Sequence, residues 1–549
     1  MRRFFPTEEP TEGGQGWTPT DLADRPCLGI PNRPPHCSFT RVFSPTDSWY
    51  VKDMLLTDNL FFDYQRCARL SFLNLYGNGT HPEPPSDFAT KLKRDSEVYR
   101  HNVLAEYPAQ RPNYPYGDWV KGAEATVALM QQGIDRIDHG ILMTPGPQGV
   151  TLMSRPDLLI RKPGASVYGN WSYIPVDIRF SKRPKAQHQI MAAFHALVLA
   201  GVQGAWPQDA WLVCREKGEY WVNLERYVPQ MQKVLDPCIK MLTSRQEPEV
   251  FMARHPCSMC HWQSDCYAIA QETQHLSLLP GVTPIRYQQL KQLNLTQLES
   301  LAHADLLTLA EGLVEVCNNQ YEPETLARDL ILQAKATLNN QAIALPQALP
   351  FSLKSLPVSP VELYFDIEAQ PELDLDFLLG VLVVDRRNLA PGEAPIQKFH
   401  AFLAESPDEE CQIWEQFLEL IWTYPIAPIF HFCDYEIQTL KKLARRYHTP
   451  PHRWKVILNR FVDIHKLVTK SVVMPVENYA LKSIARSLGF EWQNALASGA
   501  QCVVWYDRWL ETGDRHYLDL ILTYNEDDCI ATFVVKDWLV NFSRNLPST

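Results

Sequence analysis

The stretch Val361 to Glu368, VELYFDIE, limits the possible folds of this 549-residue chain more than any other. It predicts an apolar strand that ends in two acids, Asp366 and Glu368. Side chains two residues apart on a strand point to the same face, so these carboxylates lie side by side. A second apolar run, Phe377 to Val384, predicts that the strand lies in a buried sheet. Paired carboxylates in such a sheet favour a magnesium or manganese site, while a strand ending at solvent is the alternative.

A late helical segment favours the metal site. Within Leu522 to Ala531, LTYNEDDCIA, Tyr524 and Asp528 are four residues apart and therefore share one helix face. Asp527 is rotated from that face by about 100°, which gives it a lesser role.

Between these two segments, Ile429 to Leu440, IFHFCDYEIQTL, predicts a strand that turns into a helix. Asp434 and Glu436 lie at the junction. Acids at a strand tip, a helix start and a late helix face could converge on two metal ions about 3.5–4 Å apart, which suits in-line phosphoryl displacement.

This set resembles the DEDD exonucleases of the ribonuclease H-like superfamily, in the form with a tyrosine before the last aspartate. The strand acids match the D-x-E motif, and the helix pair matches the Y-x-x-x-D motif. In the middle motif Glu436 falls where that family has aspartate, and Asp434 is the alternative. The resemblance covers about residue 360 to the C-terminus. It implies metal ligation by Asp366, Glu368, Glu436 (or Asp434) and Asp528, with Tyr524 positioning the attacking water.

Length and composition set the wider limits. A chain of 549 residues predicts two or three domains. The net charge of −11 neither indicates nor excludes a nucleic-acid partner, because metal-dependent nucleases combine acidic sites with local basic patches. No run approaches 18 apolar residues and the start lacks the apolar centre of a signal peptide, which predicts a cytoplasmic protein without a membrane partner.

Thirteen cysteines in a large cytoplasmic chain argue against a disulfide framework. One group differs from the scattered remainder: HPCSMCHWQSDC carries Cys257, Cys260 and Cys266 in a C-x2-C-x5-C spacing. With the distant Cys67 they supply four thiolates, which suit either structural zinc or a [4Fe–4S] cluster.

The cysteine spacing resembles the iron–sulfur nucleases of the RecB-like branch of the PD-(D/E)XK superfamily. There, one cysteine precedes the nuclease core and three follow it, so that the cluster joins the ends of the domain. The resemblance implies a [4Fe–4S] cluster held by Cys67, Cys257, Cys260 and Cys266, with zinc as the alternative.

The region between these cysteines contains candidate metal-binding acids. One predicted strand carries Asp157, and the next, Trp171 to Arg179, places Asp177 and Arg179 on one face. This is the PD-(D/E)XK layout, in which carboxylates bind the metal and a lysine activates water. Arginine is always protonated and cannot accept a proton, so Lys182 in the following turn is the candidate substitute. The site is either active or degenerate and retained for binding nucleic acid.

From about Met54 onward the chain resembles a family of bacterial putative RecB-like nucleases, which implies an α/β multidomain fold. Leu278 to Ala302 resembles a helix–hairpin–helix with a turn at Pro280 and Gly281. The expected parts are a mobile segment (1–45), a RecB-like nuclease domain (46–275), the hairpin region (276–341), a linker (342–358) and a ribonuclease H-like exonuclease domain (359–549).

The resemblance implies a metal-dependent nuclease that processes or repairs DNA. The C-terminal domain is expected to remove nucleotides in the 3′ to 5′ direction, and the N-terminal half to carry a second, RecB-like site. The alternative is a nucleic-acid-binding scaffold in which one or both sites are degenerate.

Overall fold

The structure is a computed structural model that describes residues 54–77, 83–253, 257–313, 322–345, 356–357, 359–387 and 393–545. The expected mobile segment (1–45) lies outside the described residues, as does most of the expected linker (342–358). The chain forms two compact units. The first unit comprises Met1–Thr80 and Lys93–Glu249, and the second comprises His81–Leu92 and Val250–Thr549.

The first unit is an α/β structure. Its strands are β1 (Met54–Thr57), β2 (Arg136–Asp138), β3 (Leu142–Pro145), β4 (Val150–Ser154), β5 (Leu158–Ser166), β6 (Gly169–Arg179), β7 (Trp211–Cys214) and β8 (Gly218–Trp221). Its helices are α1 (Asp58–Arg66), α2 (Ala68–Tyr76), α3 (Asp87–Ala105), α4 (Trp119–Gln131), α5 (Ala186–Gln203) and α6 (Leu224–Ser244), although α3 as far as Leu92 belongs to the second unit.

A five-stranded sheet in the order β2-β5-β6-β7-β8 forms the centre of the first unit. Strands β6 and β7 are parallel, and the other pairs are antiparallel. Helix α5 packs against β6 on this sheet and against β3 of a smaller sheet, β1-β4-β3. Because it is covered on several sides, α5 is apolar around most of its circumference.

The second unit begins with helices and continues into a sheet. Its strands are β9 (Ile343–Ala344), β10 (Val361–Gln370), β11 (Leu375–Asp385), β12 (Ile396–Leu403), β13 (Ile429–His431), β14 (Phe461–Asp463) and β15 (Val472–Val473). Its helices after α3 are α7 (Gln263–Glu272), α8 (Pro284–Gln292), α9 (Leu298–Ala302), α10 (Leu306–Gly312), α11 (Pro323–Asn339), α12 (Glu410–Thr423), α13 (Tyr435–Arg446), α14 (Pro451–Leu458), α15 (Ile464–Ser471), α16 (Leu481–Ser487), α17 (Gly499–Thr512) and α18 (His516–Arg544).

Helices α8 to α11 enclose a small apolar core of their own, in which Leu290, Leu301 and Leu330 are buried. The turn at Pro280 and Gly281 precedes α8, and Gly281 adopts the left-handed backbone (φ +85°) that favours glycine. The predicted short helices are therefore present, while a phosphate-binding role for the turn stays a prediction. Among the described residues, no helix is both long and apolar enough to cross a membrane.

The main sheet of the second unit has the order β12-β11-β10-β13-β14. Strands β10, β11 and β12 are antiparallel neighbours, whereas β13 and β14 run parallel to β10. Apolar side chains fill both faces of the central strands, and Leu363, Tyr364 and Phe365 are almost completely buried. Helix α18 packs on β10 and β11. This packing brings the late helical motif to the strand that carries the two sequence-predicted acids.

Candidate metal centre

The two acids of β10 project from the same face because they alternate with the buried Phe365 and Ile367. The strand register shifts directly after Glu368, which pairs with Leu378 while Ala369 pairs with Asp376. Such a bulge interrupts the regular pairing directly after the second acid, and the pairing then continues to Gln370.

Helix α18 adds a third carboxylate. Oxygens of Asp366, Glu368 and Asp528 all lie within 4.8 Å of one another. We call these three residues the acid cluster. Among the described residues, none of the three forms an ion pair, so no ion pair in this part of the chain balances their charges.

Glycine at position 380 makes this approach of strand and helix possible. Gly380 pairs with Asp366 across β10 and β11. A Cβ atom at Gly380 would clash with the side-chain amide of Asn525 on α18. In the absence of that Cβ, Asn525 Nδ2 donates a hydrogen bond of 2.7 Å to Asp366 Oδ2. Neither role can be predicted from the sequence, because each depends on the packing of α18 on β11.

Burial and mutual repulsion raise the pKa values of the acid cluster. Burial is the larger cause of the raised pKa of Asp366, followed by the charges of Asp528, Glu368 and Glu436. Burial and Asp528 likewise raise the pKa of Glu368. Burial raises the pKa of Asp528 to about 6, although hydrogen bonds from Trp492 and Tyr524 oppose this shift. A bound cation would relieve the same repulsion.

The loop after α16 holds the acidic segment of α18. Trp492 Nε1 donates a hydrogen bond of 2.6 Å to Asp528 Oδ1. The neighbouring Gln493 donates to Asp527 from its backbone nitrogen (2.8 Å) and from Nε2 (3.1 Å). The helical periodicity predicted that Asp527 faces away from the site. Asp527 instead holds the loop whose Trp492 orients Asp528. The sequence offered no signal for Trp492 beyond its position before the last motif.

Tyr524 and Lys482 complete this side of the centre. Tyr524 is almost buried, and burial followed by the charge of Asp528 raises its pKa. Its ring lies 6.0 Å from Lys482 Nζ, which also lies 5.4 Å from the Trp492 ring and donates to the Ala497 carbonyl. Lys482 is thus a partly buried neighbour of the acid cluster and not a solvated surface lysine.

The two candidates for the middle motif occupy different surroundings. Glu436 is buried in the first turn of α13 and accepts from His431 Nδ1 at 3.2 Å. Its charge contributes to the raised pKa of Asp366. Asp434 is exposed before that helix and pairs with Lys466. Asp463 caps α15 by accepting from the Lys466 backbone at 3.1 Å. The geometry favours Glu436 over Asp434 as the fourth acid beside the cluster.

Comparison with known proteins agrees with this arrangement. Residues 363–540 match the sequence model of a family described as RNase_H_2, of the RNase_H superfamily. The region 363–540 is therefore similar to ribonuclease H-like domains. The match covers about a third of the 549 residues. No curated protein matches the chain.

The ribonuclease H-like match indicates a nuclease-type phosphodiester hydrolase, and such nucleases use divalent metals. The donors in the acid cluster fit that requirement, because hard carboxylate oxygens are the ligands that Mg²⁺ and Mn²⁺ prefer. Asp366, Glu368 and Asp528 would hold the metal, with Glu436 next to them.

The acids of the first unit are differently arranged. Asp177 Oδ2 accepts from Arg179 Nη2 at 2.5 Å, and Asp177 Oδ1 lies 3.3 Å from His195 Nε2. Asp157 Oδ1 lies 2.8 Å from Arg100 Nε, and Asp157 Oδ2 accepts from the Ile178 backbone at 2.6 Å. All four carboxylate oxygens are engaged, so this pair as it stands does not fit a divalent metal.

Charge balance explains the electrostatics of this pair. Burial raises the pKa of Asp177, but the charges of Arg179 and His195 overcome that effect and hold the pKa well below its usual range. Burial followed by the charge of Asp177 raises the pKa of Asp157. Lys182, the candidate substitute for the missing lysine, is exposed and pairs with Glu216 at 2.8 Å. It does not join the buried network.

The four cysteines of the expected cluster are all partly exposed. Cys67 lies between α1 and α2 in the first unit. Cys257 and Cys260 precede α7 in the second unit, and Cys266 lies within that helix. A [4Fe–4S] cluster, or zinc, on these residues stays a prediction.

Proposed function

We propose that the second unit hydrolyses phosphodiester bonds of nucleic acid at the acid cluster, with DNA as the substrate and 3′ to 5′ exonucleolytic removal of nucleotides as the reaction. The observation that supports this proposal is the convergence of three carboxylates, one buried and two half-buried, that no ion pair of the described residues balances, in a region that matches a ribonuclease H-like family. Nothing else in the described structure explains why these charges are placed together.

The residues of the chain have distinct roles in this proposal. Bound divalent metal would polarise the phosphate and lower the pKa of the attacking water. Asp366, Glu368 and Asp528 would hold the metal, and Glu436 adds negative charge beside them. The Tyr524 hydroxyl, which hydrogen bonds to Asp528, orients the water. The water oxygen bonds to phosphorus while the bond to the leaving 3′-oxygen breaks, which releases a nucleoside 5′-monophosphate.

The finer features of the proposal concern the first half of the chain. We propose that it is a RecB-like domain whose ends are joined by a [4Fe–4S] cluster, or by zinc, and that this domain binds DNA. A second hydrolytic site at Asp157 and Asp177 would require their present partners to move, so we assign no step to it. The competing function is a nucleic-acid-binding scaffold, which the engaged oxygens of that pair favour for the first unit alone.

The test is cleavage of end-labelled DNA and RNA, single- and double-stranded, by the full chain purified without oxygen and supplied with Mn²⁺ or Mg²⁺. Asp366→Asn and Glu436→Gln are expected to lower the rate by at least on the order of 100-fold, because each removes a charge from the metal centre. Asp434→Asn is the matched control, since this nearby acid is exposed and paired with Lys466.

The products distinguish the alternatives. Loss of all cleavage in Asp366→Asn, with full cleavage in Asp177→Asn, assigns the reaction to the second unit. A separate endonucleolytic product that disappears only in Asp177→Asn would show that the first unit is also active. If wild-type protein with a complete cluster binds DNA and RNA but cleaves neither with either metal, the scaffold function replaces the nuclease.

A further inference from the structure

A cleft of about 590 Å³ lies along strand β14. Its lining includes every residue of that strand and continues onto α15, the helix that follows it. This volume is in the range of ligand sites, about 300–1,000 Å³. Strand β14 is the edge of the main sheet, so one side of its backbone is not paired within that sheet.

The lining of the cleft is basic, although the chain as a whole carries a net charge of −11. Arg460 precedes β14, and Lys466 and Lys470 share one face of α15 because they are four residues apart. Lys466 pairs with Asp463, the acid of the described lining, and with Asp434. Arg460 and Lys470 therefore supply the positive charge that the described ion pairs leave unbalanced. The Lys470 ammonium forms no ion pair with any residue that the structure describes. The cleft therefore favours an anionic occupant.

The guanidinium of Arg460 also favours an anionic occupant of the cleft. Its Nη1 donates to the Pro425 carbonyl at 3.0 Å. Its Nε and Nη2 atoms are buried, and in the described part of the chain neither has a hydrogen-bond partner. Buried guanidinium donors without acceptors are costly, so a phosphate in the cleft that draws the Arg460 guanidinium toward it would supply acceptors that match its planar geometry.

The sheet connects the cleft to the acid cluster. Asp463 at the end of β14 pairs with His431 at the end of β13, and β13 pairs in parallel with β10. The carboxyl end of β14 therefore lies at the same edge of the sheet as Asp366 on β10. The two strands are two positions apart, which corresponds to about 10 Å.

We propose that this cleft binds the phosphates of a single nucleic-acid strand whose end occupies the acid cluster. The identity of the occupant rests on the proposed nuclease function. The basic lining supplies contacts that do not depend on base sequence, so the cleft sets affinity and position and not sequence preference.

The experiment measures binding of a fluorescently labelled single-stranded oligonucleotide by anisotropy, in EDTA and at several salt concentrations. The variants are Arg460→Gln, Lys470→Glu and their combination in the full chain. The matched control is Lys398→Glu, because Lys398 is an exposed lysine on β12, the opposite edge of the same sheet. Affinity is expected to fall only in the cleft variants. The slope of log K against log salt is expected to decrease by about 0.7 for each phosphate contact that is lost.

A second measurement separates this inference from the proposed function. With Mn²⁺, the cleft variants are expected to raise KM for a long oligonucleotide while leaving hydrolysis of a dinucleotide unchanged, because a dinucleotide ends at the acid cluster. If wild-type protein binds the strand through the cleft but does not cleave it, the nuclease function is wrong and the cleft stands. If wild-type protein cleaves the strand, and the cleft variants bind and cleave it as Lys398→Glu does, the proposed binding of nucleic acid in the cleft is wrong. A competition measurement adds an unlabelled peptide, which could pair with the open edge of β14 in place of nucleic acid. If the peptide displaces none of the bound oligonucleotide, nucleic acid is supported as the occupant of the cleft, and full displacement contradicts it.

Discussion

Buried carboxylates occur in both units, and their partners differ. In the first unit, guanidinium and imidazole groups of the same chain contact the acids at Asp157 and Asp177. In the second unit, the acid cluster has no such partner among the described residues. Because an unbalanced buried charge is costly, the second arrangement requires an external cation or retained protons, whereas the first is complete without either.

The first arrangement predicts the behaviour of Arg179→Met. Removing the guanidinium leaves Asp177 buried and only partly compensated, so we expect a loss of about 3 kcal/mol in the free energy of unfolding at pH 8. Arg179 holds the pKa of Asp177 low, so its removal allows Asp177 to take up a proton as the pH falls, and the loss should be smaller at pH 5. Thermal melting at the two pH values measures this difference.

Two further variants serve as controls for Arg179→Met. Arg161→Met breaks the exposed pair with Asp135 and is expected to cost at most about 1 kcal/mol. Asp177→Asn combined with Arg179→Met removes the buried charge and should recover part of the stability. The Asp528→Asn variant leaves the first unit unchanged. If Mn²⁺ raises the melting temperature of the first unit in this variant, the Asp157 and Asp177 pair binds metal.

At the scale of elements, the contact between β11 and α18 decides whether the metal centre forms. Gly380→Ala places a methyl group against Asn525, which must then release Asp366. Groups that orient metal ligands commonly change affinity or activity by about 10–100-fold, and we expect a loss in that range for Mn²⁺ affinity and kcat. Titration of activity with Mn²⁺ at saturating substrate measures both quantities.

Gly499→Ala is the matched control for this change, because a Cβ atom there meets nothing within 4 Å. Asn525→Ala should reproduce the loss, and Gly380→Ala should add little to it, since both remove the same hydrogen bond. Additive losses in the double variant would show that Gly380 acts through some other contact.

These elements also show how far the sequence alone could predict the site. Alternation along β10 and the four-residue spacing on α18 are local periodicities, so the positions of Asp366, Glu368, Tyr524 and Asp528 on their faces could be predicted. The strands β10, β11 and β13 were also predictable from their apolar runs, whereas the edge strand β14 was not, and the family match supports the ribonuclease H-like resemblance of this region.

The choice between Asp434 and Glu436 could not be made in this way. Both begin the same helix, and the side of α13 that packs inward determines which acid is buried. The parts played by Asn525 and Trp492 could not be predicted for a related reason. Their roles depend on the register between α18 and distant segments, which leaves no periodic trace in the sequence.

For the whole molecule, the raised pKa values link stability to pH and to metal. Burial raises the pKa of Asp528 to about 6, whereas the ordinary aspartate value is about 3.9. Between these values the folded protein retains a proton that the unfolded chain has lost. Metal-free stability therefore falls as the pH rises from about 4 to 6, by about 3 kcal/mol for this one group.

We accordingly expect Asp528→Asn to melt at a higher temperature than metal-free wild type at pH 8, and the difference to shrink at pH 5, because a neutral side chain replaces a buried charge. Mn²⁺ should stabilise wild type at pH 8 by about 2.7 kcal/mol at 100 times its Kd, and should have less effect at pH 5, where protons compete for the carboxylates. Asp528→Asn should respond weakly to Mn²⁺ at both pH values. A variant that is less stable than metal-free wild type at pH 8 would show that Asp528 has a partner that balances its charge, and the acid cluster would then not require a cation.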